Sequence, residues 1–472
     1  MPRNVSAPDK VDLLVEGGAV VLPGGVQHDA CIAIREGRVS QILGATELRP
    51  PAAQIIDARN KVVLPGVVDA HVHVDTPGPR TKPLGIYSDE FENMSRAAVA
   101  GGVTTVIPFV FASGTKPPAH YLREYKTLAE RESWTDFAFH FGITKGADID
   151  AISAVVKMGV RSFKALMAYK TQGSMISDKL LARAMEEVGR WRGIMMVHAE
   201  DGELIDALEE QAKARGCCSP PDYARCRPPA AENIAIMRAL SLARDTGCVL
   251  YIVHLSTREG LVTAKLARAR GEAIIIETCP QYLFLTDDAL QPDRLGPLAK
   301  IGPPLRERAH GEALWGGVRE GAIDLIGSDH APRLRADKLR GLKDIFAAPF
   351  GSPGLETLLP VLHDEFQRRQ LPLTVLARLI AEAPARIFGI FPRKGVIAVG
   401  SDADLVLLDP ELEWTVDPKK LQTKAKYSVW MGRRIRGKPV TTIVRGKVVH
   451  LNGKLGAGKG WGKFLAHNQL IN

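Results

Sequence analysis

Between residues 62 and 330 the chain repeats one pattern. A short apolar run comes first, followed by a stretch whose apolar positions return every three or four residues. The runs are "VVLPGVVDAHVHVD", "GVTTVIPFV", "DFAFHFGIT", "GVRSFKALMA", "GIMMVHAED", "GCVLYIVHLS", "EAIIIETCP" and "AIDLIGSDH". A continuous apolar run of this length reads as a strand buried on both faces. Intervening stretches such as "DEFENMSRAAVAG" and "EGLVTAKLARARG" read as amphipathic helices. Strands alternating with helices predict a parallel sheet covered on its outer face, and about eight strands suffice to close a barrel. The expected fold is α/β, with a TIM-like (β/α)8 barrel.

The ends of the chain have another texture. "VDLLVEGGAVVLPGGVQHDACIAIREGRVSQIL" alternates short β-rich runs with glycine turns and predicts a small antiparallel sheet. "DADLVLLDP" and "VTTIVRGKVVHLNGK" resume that rhythm near the other end. The expected organisation joins residues 1–66 and 394–472 in one small β-sandwich-like domain, with the barrel, 67–393, inserted between them.

Composition narrows the class. The chain has 472 residues, 45% of them hydrophobic and 6% aromatic, as in a soluble globular protein with ample core. Lys and Arg number 62 against 53 Asp and Glu, giving a net charge of +9. These charges are scattered, with no basic run interleaved with aromatics, which argues against nucleic-acid binding and leaves a mild attraction for anionic solutes. The opening "MPRNVSAPDKVDLL" lacks the apolar core of a secretory signal, and no run approaches a membrane span. The 6 cysteines form no CxxC pair. A cytoplasmic protein with reduced thiols and no membrane partner is expected.

A barrel places its active site at the carboxyl ends of its strands. The polar residues ending the apolar runs are His71, His73, Lys164, His198, His254 and Asp329. His71 and His73 share one face of a strand, a half-site for a transition metal. Alone, such a pair also fits histidines facing solvent or bonded within a core. Four histidines and an aspartate exceed the needs of one tetrahedral zinc and suit two metals with an anionic bridge. Lys164 reads either as a wall residue whose amine reaches water, or as an amine that has added carbon dioxide. The resulting carbamate has one oxygen for each metal.

The motifs "GVVDAHVHVD", "SFKALMAYK", "MVHAEDGE", "VHLSTREG", "ETCPQYLFLT" and "GSDHAP" together resemble the cyclic amidohydrolases. These are the hydantoinases, dihydropyrimidinases, allantoinases and dihydroorotases, and the likeness covers nearly the whole chain. The resemblance implies two Zn2+ bridged by N6-carboxylysine at Lys164. His71 and His73 would bind one metal, with Asp329 beside it, and His198 and His254 the other. A metal-bridging hydroxide would attack a ring amide carbonyl of a small cyclic substrate. Asp329 would pass the proton to the departing nitrogen, and Tyr169 would hydrogen-bond the developing oxyanion. Tyr169 also reads as a tyrosine with an ordinary structural partner. The family usually forms dimers or tetramers, so a homo-oligomer is expected.

The ring is less sharply indicated. "SFKALMAYK" and "ETCPQYL" look like hydantoinases and dihydropyrimidinases, whereas "APFGSPGLETLLPVL" looks like dihydroorotases. Gly302 stands at a substrate-binding position where hydantoinases often carry serine, and Phe350 stands where they often carry asparagine. Dihydroorotases and allantoinases commonly have arginine two residues after the second histidine, and this chain has Asp75. The expected substrate is therefore a neutral hydantoin or dihydropyrimidine, with allantoin and dihydroorotate as alternatives. Within the superfamily, mononuclear deaminases lack the bridging lysine. A non-catalytic dihydropyrimidinase-like scaffold would have shed the ligands, all six of which are present. His140 is expected to be structural, and His330 to point away from the metals. "GKLGAGKG" is expected to be a glycine-rich tail, since Gly460 replaces the Ser/Thr of a phosphate loop.

Overall fold

The computed structural model describes residues 10–75, 87–112, 114–456 and 458–467. The proline–glycine break after Asp75 and Ala457 of the glycine-rich tail lie outside them.

Five strands precede the barrel: β1 (Val11–Leu22), β2 (Gly25–Arg35), β3 (Arg38–Leu43), β4 (Ala52–Asp57) and β5 (Val62–Pro65). The barrel wall follows as β6 (Val67–Val72), β7 (Val103–Val110), β8 (Asp136–Phe137), β9 (His140–Gly142), β10 (Ser162–Leu166), β11 (Ile194–His198), β12 (Val249–Ile252), β13 (Ile274–Thr278) and β14 (Leu325–Ile326). The remaining strands are β15 (Leu405–Thr415), β16 (Arg434–Val444), β17 (Lys447–Leu451) and β18 (Lys454–Leu455).

Strands β14, β13, β12, β11, β10, β9, β7 and β6 lie side by side in that order, all parallel, with β8 paired to β7. The sheet curls into the TIM-like wall expected from the apolar runs. Isolated backbone pairing completes the turn, as His73 N donates to the His330 carbonyl at 2.7 Å and Val72 bridges His330. The covering helices bury one face each. Helix Phe91–Ala100 buries Phe91, Met94, Ala97 and Ala98, and helix Arg258–Ala269 buries Leu261, Ala264 and Ala267. That spacing of three and four is the one read in their sequences.

The two ends of the chain meet in a second sheet. β1 pairs antiparallel with β2 and β2 with β3, as the first segment predicts. β4 and β5 run parallel to β1, so the whole sheet is chiefly antiparallel rather than wholly so. β5 then pairs with β15, which opens the antiparallel run β15–β16–β17–β18. A buried ion cluster joins this sheet to the barrel. Lys394 Nζ lies 2.6 Å from Asp136 at β8, 2.7 Å from Asp404 and 3.1 Å from Asp402.

Candidate metal centre and catalytic pocket

The strand ends deliver the six ligand candidates read in the sequence to one pocket. His71 lies at the end of β6 and His73 just past it; Lys164 lies in β10, and His198 ends β11. His254 and Asp329 follow β12 and β14 by two and three residues. All six are buried, and all line one cavity with Tyr169, Gly302 and Phe350.

Within it the nitrogen and oxygen atoms form two clusters. Asp329 Oδ1 lies 3.2 Å from His71 Nε2 and 3.4 Å from His73 Nε2. These three side chains bring their ligand atoms within 4.8 Å of one another, close enough to hold one ion. On the other side His198 Nδ1 and His254 Nε2 are 2.9 Å apart. The rings of His71 and His254 connect the clusters, 5.3 Å between centroids. Burial holds all four imidazoles below their usual pKa, which favours the neutral form a metal requires.

Lys164 completes the set. Among the described residues its buried Nζ has no hydrogen-bond partner, and burial brings its pKa down to about 7. The share of the amine that this leaves uncharged, in the cavity that both histidine clusters line, is chemically open to addition of carbon dioxide. The donor set fits one metal ion at His71, His73 and Asp329, with His198 and His254 facing each other in the same cavity.

The atoms behind the imidazoles were missed from sequence, although their motifs were in view. His71 Nδ1 donates to Glu277 Oε1 at 2.6 Å, and the His254 backbone N–H reaches the same oxygen at 3.1 Å. Burial lifts Glu277 to about 7. His198 Nε2 lies 2.7 Å from Glu200 Oε2. Burial alone would raise Glu200, but the Arg227 guanidinium and His198 outweigh it and hold the carboxyl low. Both glutamates stand at or beside the C-terminal ends of apolar runs, the signal already used for the histidines. Such carboxylates fix the ring tautomer and aim the other nitrogen inward.

Three site residues adopt left-handed backbone: Tyr169 at φ 72°, His254 at φ 39° and Asp329 at φ 48°. Each costs on the order of 1–3 kcal/mol, so the surrounding packing must hold it in place. Tyr169 is wedged between His198 and Phe350, at 4.8 and 5.1 Å between ring centroids.

The side residues sort as follows. His140 is structural: Nε2 donates to the Ala70 carbonyl at 2.9 Å and Nδ1 meets Ser162 Oγ at 2.6 Å. His330 is buried outside the cavity, where its Nδ1 accepts from Gly354 N at 3.1 Å. Asp75 lies just past His73, where its backbone N–H donates to the Asp89 carbonyl at 2.8 Å; it is not among the described residues that line the cavity. Arg333, supplied by the loop after β14, also lines the cavity, and local sequence gave no reason to bring it here.

The amidohydrolase family model matches residues 62–449. The chain is 36% identical to the D-hydantoinase of Rhizobium radiobacter over 447 residues, 93% of this chain and 95% of that one. It is 38% identical to the allantoinase of Rubrobacter xylanophilus over 461 residues, 96% of this chain and 97% of that one. The crystal structure of dihydropyrimidinase from Brevibacillus agri superposes with a TM-score of 0.91 at 31% identity, over 97% of this chain and 99% of that one. The chain belongs to the amidohydrolase family, as a cyclic-amide hydrolase of the hydantoinase and dihydropyrimidinase type.

Proposed function

We propose that the protein opens the ring of neutral cyclic amides and ureides, hydantoins or dihydropyrimidines, with two zinc ions. His71, His73 and Asp329 would hold one ion and His198 and His254 the other, with carboxylated Lys164 as a further ligand. The observation that supports this most is the buried Lys164 amine, without a hydrogen-bond partner among the described residues, in the cavity that both clusters of ligand atoms line.

Bound zinc would acidify water toward neutrality and polarise the amide carbonyl. The chain's own residues do the rest. Carbon dioxide adds to the neutral Lys164 amine and one proton leaves, giving the carbamate. Asp329 takes the proton of the attacking water on its carboxylate and returns it to the ring nitrogen as the C–N bond breaks, a role worth about 10²–10⁴-fold. The Tyr169 hydroxyl donates to the oxygen that gains charge, worth about 10²–10³-fold.

A neutral ring is favoured because the wall is apolar on one side, from Leu166, Tyr169 and Phe350. Arg333 is already engaged, its Nε donating to the Phe350 carbonyl at 2.8 Å. The allantoinase relatives keep allantoin in the panel of substrates. The reading carries with it a homo-oligomer and a cytoplasmic setting, in keeping with 6 free cysteines. Among the described residues no helix is long and apolar enough to cross a membrane. Residues 1–66 and 394–472 are taken as one domain and 67–393 as the other.

The test is kcat/KM for substituted hydantoins, dihydrouracil, allantoin and dihydroorotate, with zinc measured per chain. Dihydroorotate as the best substrate, or turnover of none, would sink the proposal.

A further inference from the structure

We infer that Tyr87 and Arg333 form a clamp that orients His73 and ties it to the substrate wall at Phe350. The inference rests on the reading of His73 as a metal ligand.

The three inward-facing histidines with a partner behind them are not supported alike. Glu277 stands behind His71 and Glu200 behind His198. Behind His73 there is a phenol: Tyr87 Oη lies 3.0 Å from His73 Nδ1. With Nε2 of His73 left to a metal, the ring proton would sit on Nδ1, which would then donate to Tyr87 Oη. The two rings also stack, 5.0 Å between centroids and 24° between planes. A hydrogen bond fixes one direction of an imidazole and a stacked face fixes its plane, so Tyr87 sets both.

Tyr87 is itself held from its ring face. The Arg333 guanidinium carbon lies 4.0 Å from the Tyr87 ring centroid, a cation–π contact in a residue only 4% exposed. Arg333 then donates Nε to the Phe350 carbonyl at 2.8 Å, and Phe350 packs on Tyr169. His73, Tyr87, Arg333, Phe350 and Tyr169 thus form one contiguous chain of contacts around the rim. It runs from a metal ligand to the proposed oxyanion donor. A carboxylate behind His73 would raise its basicity; a neutral phenol supplies orientation instead. Tyr87 and Arg333 are accordingly positioning residues.

The experiment uses the full-length zinc enzyme and measures zinc affinity by competition with a chromophoric chelator, together with KM for a hydantoin. Tyr87→Phe keeps the stacked ring and removes the hydroxyl. Zinc affinity is expected to fall about 10–100-fold, the usual cost of losing the partner behind a ligating histidine. KM should change much less. Arg333→Met keeps the stem and removes both the guanidinium face and Nε–H, so it should raise KM and weaken zinc together. Arg333→Lys should not rescue it, because an ammonium has no planar face to cover Tyr87. In the double variant the losses of zinc affinity should be less than additive. Wild-type zinc affinity in Tyr87→Phe, or fully additive losses, would overturn the clamp. His73→Ala distinguishes the two levels. If it binds zinc like the wild type, the ligand reading fails and the clamp with it. If it loses zinc while Tyr87→Phe does not, the clamp alone fails.

Discussion

The Tyr169 hydroxyl occupies space that Gly302 leaves open: a Cβ built on Gly302 would stand 2.5 Å from Tyr169 Oη. The missing side chain at 302 and the position of the phenol are therefore one feature. In this chain a side chain at 302 would have to displace the hydroxyl.

Gly302→Ser should push Tyr169 Oη aside and lower kcat by about tenfold or more, toward the roughly hundredfold loss expected of Tyr169→Phe. Gly302→Ala combined with Tyr169→Phe should be no slower than Tyr169→Phe alone, since no hydroxyl remains to displace. Fully multiplicative losses would separate the two residues.

Lys164→Ala should lose activity and metal together. Metal analysis should show two zinc ions per wild-type chain, and short carboxylic acids should restore part of both in the variant by replacing the carbamate. Full activity in Lys164→Ala would reduce the lysine to a wall residue.

Glu277→Gln should weaken zinc binding by about 10–100-fold. The carboxylate serves His71 Nδ1, the His254 backbone N–H and the Tyr251 hydroxyl at once. An amide offers one acceptor oxygen where these contacts use two. Zinc titration of the variant, with thermal unfolding as a folding control, tests this.

Acid stability should carry a contribution from His450, far from the pocket on β17. Burial depresses its pKa from 6.5 to about 4. Below pH 6.5 the unfolded chain binds the proton and the folded chain does not, so stability falls as pH drops. The loss runs from about pH 6.5 to about 4, at no more than about 1.4 kcal/mol per pH unit. Above pH 6.5 this term is flat. His450→Gln should flatten the slope in that window; denaturant midpoints at pH 7, 6 and 5 measure it, and an unchanged slope would remove His450 as its source.

Lys394→Met should destabilise by about 3–5 kcal/mol, because it leaves Asp136, Asp402 and Asp404 buried without their cation. Urea unfolding reads the loss. A change under about 1 kcal/mol would mean that Arg445, which also meets Asp136, carries the cluster.

The sequence by itself determined the barrel strands and the ligand candidates. Continuous apolar runs commit a strand to burial on both faces, and a barrel brings polar residues at the strand ends to one mouth. His71, His73, Lys164, His198, His254 and Asp329 were legible for that reason. What stands behind them was decided only in three dimensions. Glu277 reaches His71 from β13, a strand that does not pair with β6, and Glu200 reaches His198 from two residues farther along the chain; the hydrophobic pattern states neither contact. Asp75 and Arg333 show the same limit. Two residues beyond His73, Asp75 is the charge that the sequence places near the mouth, yet among the described residues the cavity is lined by Arg333 and not by Asp75. Arg333 arrives there from a different strand end, 258 positions on. Strand pairing is written locally by hydrophobicity, whereas the charge facing a substrate depends on loop paths, and those follow from the packing of the whole barrel.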